Sequence, residues 1–199
     1  MYTRPDLQSF YRSVQTYGLG KAYNFQVEDI IGIPAFNSMN QDYKLYVQSA
    51  TVPSIKTNIT AVPYKAFEFI VPTNVTFPEN QSWSLEFFSD DSLLIRALFE
   101  NWTKTIYNPL TLNSDRQALN IATNKLVLNI LSDMSVKNVT DSVSLRPETP
   151  TDTQYILHGI FPVQIGPLNY NISDTGQVVK FRATMAYQFF ESKNVKIGA

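Results

Sequence analysis

Residues 82–107, SWSLEFFSDDSLLIRALFENWTKTIY, decide the architecture, because the hydrophobic period changes inside them. In the first part Trp83, Leu85 and Phe87 alternate with Ser84 and Glu86, the period of two expected of a half-buried strand. Beyond Asp90 and Asp91 the spacing becomes three and four. Leu94, Ile95, Leu98, Phe99, Trp102 and Ile106 then fall on one stripe of a helix. Asp90 or Asp91 suits the N-cap, and Glu100 and Lys104 stand at i, i+4. Asn108-Pro109 ends the segment, since a residue before proline disfavours the helical region. The pattern predicts one helix over residues 91–107.

Outward from this segment the chain reads as strands. Residues 23–30 alternate, with Tyr23, Phe25 and Val27 against Asn24, Gln26 and Glu28. A loop with Gly32, Pro34 and Asn37 follows, then a second alternation over 43–49 on Tyr43, Leu45 and Val47. Residues 50–76 are rich in β-branched side chains but carry Pro53, Pro63 and Pro72, which belong at strand ends, edges or bulges. They predict an extended excursion with short strands near 58–62 and 66–71. Further strands are expected over 124–131, over 155–161 closed by Pro162, and over 177–190. In the last, Val179, Phe181, Ala183, Met185, Tyr187 and Phe189 share a face.

Residues 6–17 space their apolar side chains as a short amphipathic helix or arm, broken by Gly18-Leu19-Gly20. That triplet lacks the further glycine and the lysine of a phosphate loop. The stretches 109–123 and 132–153 read as long polar loops, and 191–199 as a polar, mobile tail. There is no internal repeat and no linker. Residues 1–199 are read as a single domain, with an arm over 1–20 and the excursion over 50–80. A parallel α/β sheet needs a crossover helix between successive strands, and one helix cannot supply that. The class is therefore mainly β: an antiparallel β-sandwich or open barrel with one flanking helix.

Composition narrows function. The chain has 199 residues, 44% of them hydrophobic, which is enough to close a core. Lys plus Arg is 16 and Asp plus Glu is 17, so no basic field grips a phosphate backbone. Charged residues are 17%, against roughly 25% in a typical soluble domain. Aromatics are 13%. Low charge with abundant Tyr, Phe, Asn and Thr suggests a surface meant to be covered by other subunits.

There is no Cys, which removes disulfides, thiolate metal sites and Cys nucleophiles, and His158 is the only His. No triad and no multi-His metal site can be built in one chain. No secretory h-region opens the sequence, and no stretch reaches the roughly 18 apolar residues of a membrane span, so no stable membrane binding is expected. Asn-x-Ser/Thr triplets begin at Asn58, Asn74, Asn80, Asn101, Asn138 and Asn171; without a signal peptide they read as chance in an Asn- and Thr-rich chain.

The other candidates for chemistry have plainer explanations. Asp90 and Asp91 stand at a helix start and read as caps. Glu148 and Asp152 read as solvated loop carboxylates. His158 lies in an apolar strand beside Ile156 and Ile160 and reads as a satisfied structural histidine. Trp83 and Trp102 read as core anchors rather than sugar platforms. Glu28, Glu68 and Glu86 lie on the polar faces of strands. No metal, cofactor or enzymatic activity is expected.

The order of elements resembles the tail tube proteins of contractile-tailed phages. The resemblance runs over about residues 20–190. It rests on Asn24-Phe25-Gln26-Val27-Glu28, the Val52-Pro53 turn into an extended excursion, and Trp83-Ser84-Leu85-Glu86-Phe87 running through Asp90-Asp91 into the Trp102 helix. Gly159-Ile160-Phe161-Pro162-Val163, the Gly166-Pro167 turn and the closing strand Val179–Phe189 complete it.

The resemblance implies a structural virion protein whose subunits form hexameric rings stacked into a tube inside the contractile sheath. The tube holds the tape-measure protein and passes genomic DNA. The implied partners are further copies of the chain and the tail sheath, tape-measure, baseplate and tail terminator proteins. The implied location is the virion tail, and the host cytoplasm during assembly. It implies that Glu28, Glu68 and Glu86 include lumen-facing positions, because an acidic or neutral wall does not retain phosphates. It also implies that Val52, Pro53, Ile55, Ile59, Val62, Pro63 and Tyr64 contact neighbouring subunits. The strand over 177–190 would supply an edge for pairing between copies. Within the same class the chain could be a baseplate-proximal tube initiator, a tail terminator, or the tube of a secretion-like injection machine. Outside it, a carbohydrate-binding β-sandwich would need Trp83 and Trp102 exposed on one face.

Overall fold

The computed structural model describes residues 21–32, 36, 42–107, 109–111, 121–131, 151–171 and 176–194. The expected arm over 1–20, the loop residues 112–120 and 132–150, and the last residues 195–199 lie outside these. Among the described residues, ten strands and one long α-helix follow in order. They are β1 (Phe25–Ile31), β2 (Val47–Ala50), β3 (Lys56–Tyr64), β4 (Phe67–Thr76), β5 (Trp83–Phe88), α1 (Leu94–Ile106), β6 (Lys125–Leu131), β7 (Thr151–His158), β8 (Phe161–Ile165), β9 (Lys180–Ala186) and β10 (Phe189–Asn194).

Two antiparallel four-stranded sheets, ordered β1-β6-β7-β10 and β2-β5-β9-β8, face each other across one core, and β3 pairs with β4 as a separate ribbon. The expected mainly-β, antiparallel class with one helix is what forms. Alternation sets the facing sides. In β5, Trp83, Leu85 and Phe87 are buried while Ser84, Glu86 and Phe88 are half-buried. On β9, Phe181, Ala183 and Met185 stand opposite Phe87, Leu85 and Trp83 in register, all buried. The Phe87 and Phe181 rings stack at 5.3 Å.

The helix lays Ile95, Leu98, Phe99 and Trp102 into this core. Phe99 meets Phe36, Phe87, Trp102 and Phe181 at centroid distances of 5.2 to 6.2 Å. Burying each such side chain is worth about 1.5–3 kcal/mol. The first turn is satisfied from Asp90, whose carboxylate accepts the Leu94 and Ile95 N–H groups and the Ser92 hydroxyl. Partial burial pushes the Asp90 pKa up, but these hydrogen bonds outweigh it and hold it below the usual aspartate value. Arg96 bonds Glu100 at 2.8 Å and the Gly166 carbonyl at 2.6 Å, tying the helix to the end of β8.

Several expectations are corrected. Residues 42–46 form a 3₁₀ turn rather than the start of a strand, and β2 covers only Val47–Ala50. Tyr43 explains this. It is 1% exposed, and its hydroxyl donates to Asp29 and accepts the Ile30 N–H, which the turn makes possible. A bulge at Val27/Asp29 inserts Glu28, so that Val27 and Ile30 both reach the core. Tyr23 stays exposed. Leu94 belongs to the helical stripe by spacing but lies at its margin and is exposed. Glu100 pairs with Arg96, not Lys104.

The expected long strand over 177–190 is two. β9 ends at Ala186 and β10 starts at Phe189, in the other sheet. The facing chain breaks at the same level, where Gly159, at φ 67, separates β7 from β8. One long hairpin, β7–β8 against β9–β10, thus folds across the edge of the sandwich and serves both sheets. At the fold the inward phase slips by one residue: Tyr187 and Phe190 pack inward, and Phe189 faces out. β9 is paired on both sides by β5 and β8, so it cannot supply a free edge; β10 is the terminal strand of its sheet. The expected tail from residue 191 is ordered as far as Asn194 within β10.

Candidate functional site

The excursion over 50–80 is a β-ribbon held rigidly at its base and bare along its length. At the base, the Glu79 carboxylate accepts the Ser54 N–H at 3.2 Å and the Ser54 hydroxyl. That pairing, with the hydroxyl bond as the main cause, holds Glu79 below the usual glutamate pKa. The Trp83 indole donates to the Thr51 carbonyl at 2.6 Å, Pro53 is buried, and Phe77 packs on Tyr187 and Phe190. Beyond the base, β3 and β4 touch little except each other, and nearly every residue from Lys56 to Val75 is exposed.

The register sorts the ribbon into two faces. Tyr64/Phe67, Val62/Phe69 and Thr60/Val71 stand opposite each other on one face; Pro63/Glu68, Ala61/Ile70 and Ile59/Pro72 stand on the other. Both faces are apolar. An isolated two-stranded ribbon is marginal in water, and an apolar patch of this kind marks an interaction surface. Of the contact residues expected from sequence, Val52, Ile55, Ile59, Val62, Pro63 and Tyr64 are exposed here, whereas Pro53 lies inside the subunit. The contact residues named from sequence stop at Tyr64, whereas Phe67, Phe69, Ile70 and Val71 on the second, expected strand of the ribbon are as bare as their partners. The signal was present in Phe67-Glu68-Phe69-Ile70-Val71, a strand without a polar face.

The turn at the tip, Lys65-Ala66, holds Lys65 in the left-handed region at φ 55, which costs a non-glycine residue about 1 kcal/mol or more. The Lys65 ammonium lies 5.4 Å from the centroid of the Tyr64 ring.

The three acidic candidates stand on three different sheets. Glu28, exposed on β1, accepts Asn129 Nδ2 at 3.0 Å and Gln154 Nε2 at 2.8 Å, forming a polar row across the first sheet. Glu86 lies on the outward face of the second sheet, opposite Arg182 in register and 3.4 Å from the Ser49 hydroxyl. Glu68 is on the ribbon, exposed. They do not converge on one site.

Trp83 and Trp102 are 1% and 4% exposed, so neither offers a platform. His158 stacks on Phe189 at 4.6 Å, but its Nε2 has no hydrogen-bond partner and stands 3.6 Å from Glu191, so it is not the satisfied histidine expected. Among the described residues no group of three or more His, Cys, Asp and Glu could hold a metal ion, and no helix is long and apolar enough to cross a membrane.

Comparison with curated protein sequences finds no significant match. Solved structures with the same fold are more distant in sequence than in shape. A chain of the six-fold symmetrised baseplate of the anti-feeding prophage aligns with a TM-score of 0.56 at 12% identity, covering 89% of this chain and 97% of that one. A chain of the PVC sheath-tube complex, from an extracellular contractile injection system in the extended state, aligns at 0.53 and 10%, covering 92% and 97%. A chain of the anti-feeding prophage tube-terminating cap aligns at 0.52 and 10%, covering 89% and 92%. The family model described as phage tail tube protein matches residues 19–193. With nearly the whole chain matched, the chain belongs to the phage tail tube protein family.

Proposed function

We propose that copies of this chain join into hexameric rings, and that the rings stack into the inner tube of a contractile tail, a conduit for the tape-measure protein and for genomic DNA. The observation that carries the reading is the ribbon: apolar on both faces, pinned at its base, and placed to be covered on two sides by neighbours. The sheets suit ring closure. Each has four strands, all antiparallel to their neighbours, so its two outer strands run in opposite directions. Copies related by rotation can then extend either sheet antiparallel, which turns an edge hazard into assembly.

A wall that passes DNA must not hold it by counterion release. Glu28, Glu68 and Glu86 remain the candidates for lining positions, and Glu86 has the most suitable setting. Its sheet presents Ser49, Ser84, Arg182 and Thr184 beside it, a polar surrounding in which Glu86 offsets the charge of Arg182. Tubes carrying Glu86→Lys are expected to retain duplex DNA at low salt and release it at high salt, where wild-type tubes retain none. Equal behaviour of both removes Glu86 from the lining.

The subunit acts by assembly, alongside sheath, baseplate and terminator proteins, in the virion tail after assembly in the host cytoplasm. A place at the baseplate or at the tube end is the second reading, favoured by the likeness to baseplate and cap chains. Negative-stain electron microscopy of the purified protein tests the main one: rings or tubes are expected, and compact monomers at high concentration refute it. Excision of residues 55–78 would also remove Phe77 from its packing on Tyr187 and Phe190. A cut at 57–75 closed with a short Gly-Ser link spares it, and is expected to leave a folded monomer that forms no tubes. Normal tubes from that variant would defeat the role given to the ribbon.

A further inference from the structure

We propose that the ribbon tip of one copy, Tyr64-Lys65-Ala66-Phe67, seats in a groove beside the start of α1 on a neighbouring copy, with Lys65 against Asp91. This rests on the tube reading and names the contact it requires. The groove has a volume of about 450 Å³ and is lined by Tyr43, Tyr46, Asp90, Asp91, Leu94 and Ile95. Leu94 is 48% exposed and Tyr46 38%, an apolar floor left open on the helix margin. The two carboxylates on its rim differ. Asp90 is spent on the Leu94 and Ile95 amides and on Ser92, whereas Asp91 is exposed and makes no contact of this kind.

The tip has the complementary chemistry. Tyr64 and Phe67 are 58% and 71% exposed and stand side by side at the end of one ribbon face. Lys65 is held between them in a strained left-handed turn, beside the Tyr64 ring. The nearest acid on the ribbon, Glu68, belongs to the opposite face with Pro63. An aromatic pair with a central cation therefore meets an aromatic and aliphatic groove with a free carboxylate at its rim. The two halves are different patches of one chain, so within the proposed tube the contact is heterologous and repeats from copy to copy. Opposite charges at such a contact select register and partner more than they add affinity.

The chain has no Cys, so an engineered pair reports without background. Lys65→Cys with Asp91→Cys, assembled and then oxidised, is expected to give a covalent ladder beyond the dimer on a non-reducing gel. Either single substitution can give dimers at most. Charge exchange is the second arm. Lys65→Glu and Asp91→Lys are each expected to raise the critical concentration for assembly about tenfold or more, and the double exchange to bring most of it back. Asp90 keeps capping the helix in every variant, so folding is preserved. Tubes without a ladder, or single exchanges without effect, or no recovery in the double, overturn the seating and leave the tube reading standing. A wild-type chain that forms neither rings nor tubes overturns both.

Discussion

On the proposed assembly, Phe69 separates what folds this protein from what joins it to its neighbours. The residue lies mid-ribbon opposite Val62, with its ring 6.3 Å from that of Tyr64, and is 54% exposed. An aromatic side chain has about 150–250 Å² to bury, so roughly 100 Å² of Phe69 remains for a neighbour to cover. At about 25 cal/mol per Å² that area is worth about 2.5 kcal/mol when covered. Ordering costs at the interface reduce it, and about 1.5 kcal/mol is a fair net figure, close to tenfold in association. The same truncation takes little from the isolated subunit, since an exposed site costs about 0.5 kcal/mol. Phe99→Ala is the converse. That ring is 0% exposed among four aromatic partners, and its loss costs about 3–5 kcal/mol. Urea unfolding at low protein concentration gives the stability loss, and sedimentation across a concentration series gives the loss in association. Phe69→Ala is expected to unfold at nearly the wild-type midpoint and to need about tenfold more protein to assemble. If it loses stability on the scale of Phe99→Ala, or assembles at the wild-type concentration, the division between core and ribbon is wrong.

Acid should loosen the helix start. The folded Asp90 pKa lies below its unfolded value, so its contribution is present above the ordinary aspartate range and is lost as pH falls through the folded value. Asp90→Asn, which can still accept the amide hydrogens, is expected to flatten the stability profile below about pH 4, and Asp90→Ala to cost about 1 kcal/mol at neutral pH; an unchanged acid limb in the Asn variant would contradict this. Arg96→Ala should cost about 2 kcal/mol in chemical unfolding, because it deserts both the Gly166 carbonyl and Glu100. A loss confined to the level of an exposed ion pair would mean that the Gly166 contact contributes nothing.

Much of the fold was legible because local periodicity and tertiary burial agree. The stripe Ile95, Leu98, Phe99, Trp102 and the alternation Trp83, Leu85, Phe87 were both readable without coordinates. What escaped depends on partners distant in sequence. The bulge at Glu28 exists because Ile30 must reach the core and Tyr43 waits there to accept its amide. The division between β9 and β10 depends on Gly159, on the facing strand, and on the amide of Gln188 donating to the His158 carbonyl. A period-two pattern carries on unbroken through Tyr187 and Phe189, and so hides a change of sheet. The assembly surface was half legible. Proline spacing marked both strands of the excursion, while the exposure of Phe67, Phe69, Ile70 and Val71 on β4 is known only from the structure.

The hairpin shared by both sheets closes one side of the sandwich. Along the side where β7 passes into β8 and β9 into β10, the layers are joined by covalent backbone and cannot separate there. A load applied to one wall reaches the other through the chain itself as well as through the shared core. In the proposed tube, that stitching adds a covalent path for axial load within each subunit.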